Sequence, residues 1–336
     1  MQTAIRACLG RLVRPAPPAA LVRNFLPVSA ARLADVEGAL RQHYFPTHFD
    51  AAAEYLESAP GRTDLADHMT QRLQVFRTII VPWLSEARAL SGARILEIGC
   101  GTGASTVALA EQGAVVTAID VDGASVKVAR TRCAAYGVEA EFRELNAVDA
   151  AAALRGRCFD FIIFFAVLEH MTHAERLGAM RATWRMLCDG GLWSVVEAPN
   201  RLWFFDSHTA LLPFFHWLPD ELAFVYASRS PRKAISDVGR KVSDEVYTAA
   251  PQDEMLSFLR HGRGVSFHEF DLALGSASEL DVVSSLESYL RARRPLRRMR
   301  HALSRQGRYS RFIRSLHPQL HSGFCEPNLD LVIRKP

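Results

Sequence analysis

The sequence predicts an α/β fold in which helices pack on the faces of a parallel β-sheet. Short apolar runs alternate with helical patterns between residues 94 and 198. An unbroken apolar run at 161–168 is typical of a central strand that is buried on both faces. Glycine occupies every second position of the turn after the first run, at Gly99, Gly101 and Gly103. Together these observations predict strand–helix–strand units with right-handed crossovers.

The elements follow in order from apolar spacing and turn residues. From 34 to 90 apolar residues recur at helical spacing, and after Pro199 the alternation of strands and helices stops. Strands are predicted at 94–98, 114–119, 139–145, 159–165 and 192–198, with two later strands at 264–271 and 329–334. Helices are predicted between them at 104–112, 123–136, 147–154 and 173–188.

Charge is unevenly distributed along this chain of net charge +4. Residues 1–34 contain five arginines and no acid, and residues 291–325 contain ten arginines and no acid. The first segment resembles a transit peptide in composition, but its prolines limit helix formation and we expect a loosely docked tail. For the second segment we expect contact with a phosphate-bearing group or an anionic membrane surface. The alternative is a solvated helical face.

The six cysteines are scattered, without the spacing of a metal site or of a disulfide framework. This usage predicts a reduced compartment and a cytoplasmic location. The longest apolar stretches are too short to span a bilayer.

The turn at 99–103 has the features of a nucleotide-binding loop. Its glycines let backbone N–H groups approach a ligand closely, and a helix is expected to begin at Ala104. Asp120 ends the next strand about 20 residues after the first glycine, where it is placed to bind two ribose hydroxyls. The pattern therefore predicts a nucleoside-containing cofactor. Because the dinucleotide fingerprint of dehydrogenases is also satisfied, the turn alone does not identify that cofactor.

Three further motifs accompany the turn. Glu97 precedes the first glycine by two residues, Leu168-Glu169-His170 follows the fourth strand, and Asp189-Gly190-Gly191 precedes the fifth. With these motifs, residues 90–200 resemble the class I S-adenosylmethionine-dependent methyltransferases. The resemblance is to the branch that includes quinone-biosynthesis O-methyltransferases and bacterial glycan and natural-product methyltransferases. It implies a Rossmann-like fold with a seven-stranded, mostly parallel sheet whose last strand is antiparallel.

The resemblance also implies S-adenosylmethionine as the cofactor and assigns residues to its parts. Glu97 and the turn, including Cys100, would hold the methionine portion, and Asp120 would bind the ribose. Asn146 stands where many family members have an aspartate that meets the adenine amino group, and Val121 and Ala147 would sandwich the ring. The alternatives are a simple tight turn for the glycines and a helix cap for Asp120.

Two histidines are candidates for a base that accepts the proton of a hydroxyl acceptor. His170 follows the fourth strand, and His208 lies after the fifth, near Asp206 in sequence. His208 is favoured because it lies in the variable region where acceptor chemistry is usually set. Glu169 and His170 are alternatively caps of the following helix. Some quinone O-methyltransferases use a divalent metal at this motif, but no third ligand is apparent, and no metal site is predicted.

Five regions are predicted from these patterns. An aromatic stretch after the fifth strand would either roof an acceptor pocket or plug the core of a cap. The regions are a basic irregular segment at 1–34, N-terminal helices at 35–90, a cofactor-binding core at 91–199, an aromatic cap at 200–262, and the last two strands at 263–336 with a basic helical insertion at 277–314.

The sequence thus predicts methylation of a hydroxyl on a small molecule or a glycan, including a phosphate-bearing one. N- or RNA-directed methyltransferases and a non-catalytic binding protein of the same fold are the alternatives. RNA is disfavoured, since Phe165-Ala166-Val167-Leu168 replaces the family's nucleic-acid signature after the fourth strand. Peripheral membrane contact is an option for the basic insertion. The sequence does not indicate the acceptor or the oligomeric state.

Overall fold

The computed structural model describes residues 25–240 and 252–336. Seven strands form one sheet in the order β3-β2-β1-β4-β5-β7-β6, with the last strand antiparallel to the others. The strands are β1 Arg94–Ile98, β2 Val115–Asp120, β3 Glu141–Glu144, β4 Phe159–Phe165, β5 Leu187–Pro199, β6 Asp281–Ser285 and β7 Asn328–Arg334. The predicted Rossmann-like fold, a seven-stranded and mostly parallel sheet with an antiparallel last strand, is confirmed.

Parallel pairing aligns the ends of β1 and β2, since Ile98 lies opposite Ile119. Helices follow these strands as predicted, at Ala104–Ala110, Gly123–Tyr136, Ala150–Ala153 and His173–Met186. Because the carboxyl ends of parallel strands meet at one sheet edge, the glycine turn and Asp120 are brought to the same place.

Between residues 25 and 93 the structure contains six α-helices and three π-helical turns. Ser29 caps the first helix by accepting a hydrogen bond from Arg32 N, so this helix begins inside the segment predicted to be irregular. Residues 1–24 of that segment lie outside the described residues. The helices are Ala30–Ala39, Phe45–His48, Ala52–Glu57, Ala59–Ala66, Arg72–Val75 and Val81–Ala87, and the π-helical turns are Leu40–Tyr44, Asp67–Gln71 and Phe76–Ile80.

Helices also dominate the chain after β5, and they correct one predicted strand. The run at 264–271 alternates like a strand, but the helix Phe267–Ala273 occupies most of it, and the sixth strand is β6. Ser266 and Glu269 form a capping box that starts this helix. The other helices are Asp220–Tyr226, Lys233–Gly239, Gln252–Arg260, Leu286–Arg293, Pro295–Leu303 and Arg305–Leu316.

The described residues form two compact units. The first holds residues 25–165, 182–194 and 332–336, and its core contains fully buried residues of β1 and β4 such as Leu96 and Ile162. The second holds residues 166–181, 195–240 and 252–331, and its core includes a cluster around Phe215, Phe224 and Phe258.

Two further findings bear on the sequence predictions. Asp189-Gly190-Gly191 belongs to β5 instead of preceding it, with Gly190 at a positive φ of 66°. Cys158 and Cys188 form a disulfide, which the cysteine spacing did not indicate. Cys158 immediately precedes β4 and Cys188 lies at the start of the neighbouring β5, a proximity that spacing does not reveal. Because disulfides are uncommon in reducing compartments, this pair does not support the predicted cytoplasmic location. Among the described residues, no helix is both long and apolar enough to cross a membrane.

Candidate active site

The glycine turn in the first unit leaves β1 and enters the helix Ala104–Ala110. Gly99, Gly101 and Gly103 all adopt positive φ angles, of 78°, 49° and 82°. A Cβ atom at Gly103 would lie 2.7 Å from Ala129 Cα, so this glycine is required by packing. A Cβ atom at Gly101 would meet nothing within 4 Å. Gly101 therefore presents open backbone, the property that a ligand-binding turn needs.

Asp120 is attached to this turn through both carboxylate oxygens. Its Oδ2 accepts a hydrogen bond from Gly101 N at 2.8 Å, and its Oδ1 accepts one from Asp122 N at 3.0 Å. Burial raises the pKa of Asp120. The alternative role as a helix cap belongs instead to Asp122, which accepts from Ala124 N at 3.0 Å and Ser125 N at 3.1 Å. The predicted ribose-binding carboxylate thus lies directly beside the open glycine.

Glu97 is fully buried at the end of β1. Its carboxylate accepts hydrogen bonds from the Ser105 hydroxyl and from Thr106 Oγ1, the latter at 2.6 Å. Burial raises its pKa to about 7, against the two hydroxyl donors, which lower it. These contacts tie the strand to the first turn of the following helix, so Glu97 fixes the shape of the glycine turn from within the protein.

The residues predicted to surround adenine follow β2 and β3. Leu145 N donates to Asp120 O at 2.8 Å, which places Asn146 one residue from this contact. Asn146 Oδ1 accepts from Val148 N at 3.2 Å and so caps the short 3₁₀ helix Ala147–Asp149. Ala147 is buried, whereas Val121 is 66% exposed. Val121 is therefore free of the core, while the Asn146 oxygen already has a partner.

Cys100 lies within the turn but its side chain is buried. Burial raises the pKa of its thiol well above the ordinary value, so the neutral form predominates. This agrees with the interpretation of Cys100 as a small turn residue and not a nucleophile.

A buried polar cluster beside the turn was missed by the sequence analysis. His68 Nδ1 lies 3.1 Å from Thr102 Oγ1, and Arg132 Nε donates to Thr102 O at 2.7 Å. Arg132 also donates to His68 O at 2.7 Å. The cluster links the N-terminal helices to the turn. Because the three residues are 30 to 64 positions apart, no local sequence signal marks them.

The second unit contains the histidine candidates and a buried carboxylate. Glu169 lies in the 3₁₀ helix Leu168–His170 and is completely buried. Among the described residues, neither of its carboxylate oxygens has a hydrogen-bond partner. Burial raises its pKa to about 8. The alternative of a helix cap is not realised, because Thr172 and Glu175 form the capping box of the helix His173–Met186.

His170 and His208 converge on Glu169. Nε2 of each imidazole lies 3.7 Å from Glu169 Oε1. Nδ1 of His170 donates to Arg260 O at 2.8 Å, since a carbonyl can only accept. Nδ1 of His208 donates to Thr209 Oγ1 at 3.0 Å, because the Thr209 hydroxyl uses its own proton on Gly262 O at 2.9 Å. Both Nε2 atoms therefore carry lone pairs.

The burial of these rings also determines their charge. Burial lowers the pKa of His170 to about 4 and that of His208 to about 3. Both imidazoles are neutral near pH 7, well above these values. The structure thus unites the two predicted histidines and adds Glu169, whose partner atoms the sequence could not indicate.

Asp206 does not pair with the His208 ring. Its carboxylate accepts from the backbone N–H groups of His208 and Thr209, both at 2.8 Å, and contacts His216 Nε2 at 3.2 Å. Asp206 therefore shapes the loop that carries His208. The charge of Asp206 also acts to raise the pKa of the His208 ring, against the larger lowering by burial.

The aromatic stretch divides between the two roles considered for it. Phe215 and Trp203 are buried, in agreement with a plug. Phe205, Phe214 and Trp217 remain 40%, 48% and 51% exposed, which leaves apolar surface for a ligand or for solvent.

Comparisons with known proteins agree with this fold and turn. Residues 95–191 match the family model described as a methyltransferase domain. Ubiquinone biosynthesis O-methyltransferase from Pseudomonas entomophila (strain L48) is 35% identical over 111 residues, which cover 33% of this chain and 47% of that protein. The enzyme of the same name from Pseudomonas putida (strain W619) is 37% identical over the same coverage. The chain spans about half the length of the curated relatives it matches.

Solved structures show a more distant likeness. Magnesium protoporphyrin IX methyltransferase from Synechocystis PCC 6803, crystallised with S-adenosylmethionine, is 22% identical, with 49% of this chain and 77% of that chain covered and a TM-score of 0.37.

The seven-stranded sheet and the matched segment define the class: the chain contains a methyltransferase domain of Rossmann-like fold. The matched segment, residues 95–191, supports the class I S-adenosylmethionine-dependent methyltransferase fold that the motifs predicted. The matched part of the chain is similar to O-methyltransferases of ubiquinone biosynthesis.

Proposed function

We propose that this protein transfers the methyl group of S-adenosylmethionine to a hydroxyl oxygen of a small molecule or a glycan. The methyltransferase domain and the O-methyltransferase relatives support this reaction. The observation that carries the proposal is the open backbone of Gly101 beside the Asp120 carboxylate. This pair offers one face without a side chain and one acceptor for ribose hydroxyls.

In this proposal the cofactor lies across the carboxyl ends of the first strands. Gly99, Cys100, Gly101 and Gly103 supply backbone to the methionine portion, and Glu97 acts through the shape of the turn. Asp120 accepts hydrogen bonds from the ribose. Val121, Asn146 and Ala147 surround the adenine ring.

The histidines activate the acceptor. The acceptor oxygen attacks the methyl carbon, the carbon–sulfur bond breaks toward sulfur, and the hydroxyl proton passes to an imidazole Nε2. S-adenosylhomocysteine and the methyl ether are the products. His208 is our first choice for this base, with His170 second, because each ring presents an Nε2 lone pair while its Nδ1 donates to a neighbouring group.

Two single variants test the assignment with labelled cofactor and fractions of a native extract as the source of acceptor. His208→Ala should lower the rate by about 10²–10⁴-fold, the typical contribution of a general base, with unchanged cofactor affinity. His261→Ala is the matched control, since this half-buried imidazole lies outside the cluster and donates from Nδ1 to Ser257 O at 2.8 Å. A fully active His208→Ala beside an inactive, folded His170→Ala would reverse the assignment. Binding of the cofactor without turnover of any acceptor would favour a non-catalytic protein.

A second proposal concerns the basic helices of the second unit. Pro295–Leu303 and Arg305–Leu316 expose large apolar side chains, Met299, Leu303, Phe312 and Leu316, at 55–77% of their surface. Four arginines of the second helix are exposed as well, Arg305, Arg308, Arg311 and Arg314. Exposed apolar and basic side chains on the same helix are typical of helices that lie at an anionic lipid interface. We propose peripheral membrane contact here, because a phosphate-bearing acceptor would account for the arginines but not for the apolar side chains.

A further inference from the structure

Three acceptor atoms meet in the second unit without a donor between them, one on the buried Glu169 and two on partly buried histidines. Glu169 Oε1 lies 3.7 Å from Nε2 of both His170 and His208, and the ligand atoms of the three residues all lie within 4.8 Å of one another. Within the described ranges, the Glu169 oxygens and His170 Nε2 have no hydrogen-bond partner. An unsatisfied buried polar group destabilises a folded protein. The cluster is therefore suited to a positive charge at its centre, either a proton or a metal ion.

The orientation of both rings is set by neighbouring groups and not by Glu169. Arg260 O holds the Nδ1 proton of His170, and Thr209 Oγ1 holds that of His208. Metal-binding histidines are oriented in this way, with one ring nitrogen donating to a carbonyl or similar acceptor and the other free for the ion. The lone pairs at Nε2 are thus prepared before any ligand arrives.

The distances and the local charge also suit an ion. Two ligand atoms at about 2.1 Å from a metal are about 3.0 Å apart at right angles and about 3.6 Å apart at 120°. The observed separation of 3.7 Å is close to the wider value. Glu197 and Asp330 add negative charge around Glu169, against the positive charge of Arg176. Arg176 is itself engaged by Glu269 at 2.7 Å.

We propose that Glu169, His170 and His208 bind one divalent transition-metal ion, with the remaining positions open to an oxygen atom of the acceptor. A set of two imidazoles and one carboxylate suits zinc, iron, cobalt or manganese rather than magnesium or calcium. His208, contributed by the insertion after β5, is the third ligand that the sequence did not reveal. Binding of the ion is independent of the proposed methyl transfer, whereas its role in that reaction rests on the proposed function.

When bound, such an ion supplies Lewis-acid polarisation of an oxygen ligand and eases loss of its proton. His208 and His170 would then hold the ion through Nε2 and would not accept the proton, so the ion would replace the base of the proposed function. The chain's own task would be to position the acceptor oxygen. His208→Ala would still reduce activity, so activity alone does not separate a base from a ligand.

Cobalt binding to the full chain distinguishes a metal ligand from a general base. Protein stripped by a chelator is titrated with Co²⁺, and visible absorption and calorimetry follow binding. We expect one equivalent per chain, a ligand-field spectrum and displacement by Zn²⁺. Glu169→Gln and His208→Gln should weaken Co²⁺ binding by at least about 100-fold, while His261→Gln should bind as the unaltered chain does.

Thr209→Val keeps all three ligands and removes the hydroxyl that orients His208, together with its hydrogen bond to Gly262 O. A loss of about 10–100-fold in Co²⁺ affinity is expected, the usual effect of an outer-shell partner. This variant keeps the test decisive if a ligand variant does not fold. Absence of a Co²⁺ spectrum in the folded, unaltered chain, or equal affinity in all variants, would overturn the proposal and assign a proton to the cluster. Co²⁺ binding without methyl transfer would leave the site intact and refute the proposed function instead.

Discussion

Replacing Gly101 with alanine tests whether the glycine turn leaves its backbone open for a ligand. The new Cβ would meet no protein atom within 4 Å, so only the left-handed backbone at a φ of 49° is penalised. That penalty is about 1–2 kcal/mol of the free energy of unfolding. A ligand packed against the turn would meet the methyl group directly. We expect cofactor binding to weaken by about 1–3 kcal/mol, the usual cost of overpacking, or about 5- to 150-fold.

Two other glycines calibrate this result. Gly103→Ala would place a Cβ 2.7 Å from Ala129 Cα at a φ of 82°, so backbone strain and overpacking both act on the folded protein. Their sum is about 2–5 kcal/mol of destabilisation. Gly156→Ala has a φ of 79° and no atom within 4 Å of the new Cβ, which reproduces the backbone penalty outside the turn.

Urea unfolding measures the stability of the three variants, and calorimetry with S-adenosylhomocysteine measures their affinity. The account predicts lost affinity with modest destabilisation for Gly101→Ala. For Gly156→Ala it predicts modest destabilisation with unchanged affinity. Equal dissociation constants for these two variants would refute the assignment of Gly101 to the binding surface.

Three further predictions follow from individual groups. Asp120→Ala should weaken cofactor binding by about 1–3 kcal/mol in calorimetry, the scale of charge-assisted hydrogen bonds, and an unchanged constant in a folded variant would place the ribose elsewhere. Because burial raises the pKa of Glu97 from 4.5 to about 7, the folded chain retains a proton that the unfolded chain has lost, and stability falls as pH rises between these values. Glu97→Gln should reduce this fall in the free energy of unfolding, measured by urea unfolding at several pH values. An unaltered dependence on pH would contradict the raised pKa of Glu97. Replacing the exposed Arg305, Arg308 and Arg311 with glutamine should weaken binding to phosphatidylglycerol vesicles at low salt by about 1 kcal/mol for each residue. Unchanged sedimentation of the variant with vesicles would instead indicate a solvated helical face.

Local pattern was sufficient for much of the first unit. The strand 159–165 and the helix 123–136 were predicted with the bounds that the structure has, because a fully buried strand and a glycine-ended helix have strong signals. The fold class followed from the alternation and was confirmed. The run at 264–271 was predicted wrongly, because its alternating residues were weighed above the capping box of Ser266 and Glu269.

Contacts between distant residues could not be predicted in the same way. Glu169 and His208 are far apart in sequence, and only the folded second unit brings their side chains together. The sequence placed Asp206 near His208, but the chain turns so that Asp206 contacts the His216 ring instead. The pairing of Cys158 with Cys188 likewise depends on the sheet order and not on spacing. The five predicted regions and the roles of the site residues stay predictions.

Calorimetric titration of the purified chain with S-adenosylmethionine, S-adenosylhomocysteine and NAD tests the central claim most directly. The Gly101 and Asp120 arrangement predicts saturable binding of both sulfur compounds at one site per chain, with no response to NAD. Binding of NAD, with no response to either sulfur compound, would contradict the assignment of this protein to S-adenosylmethionine-dependent methyl transfer.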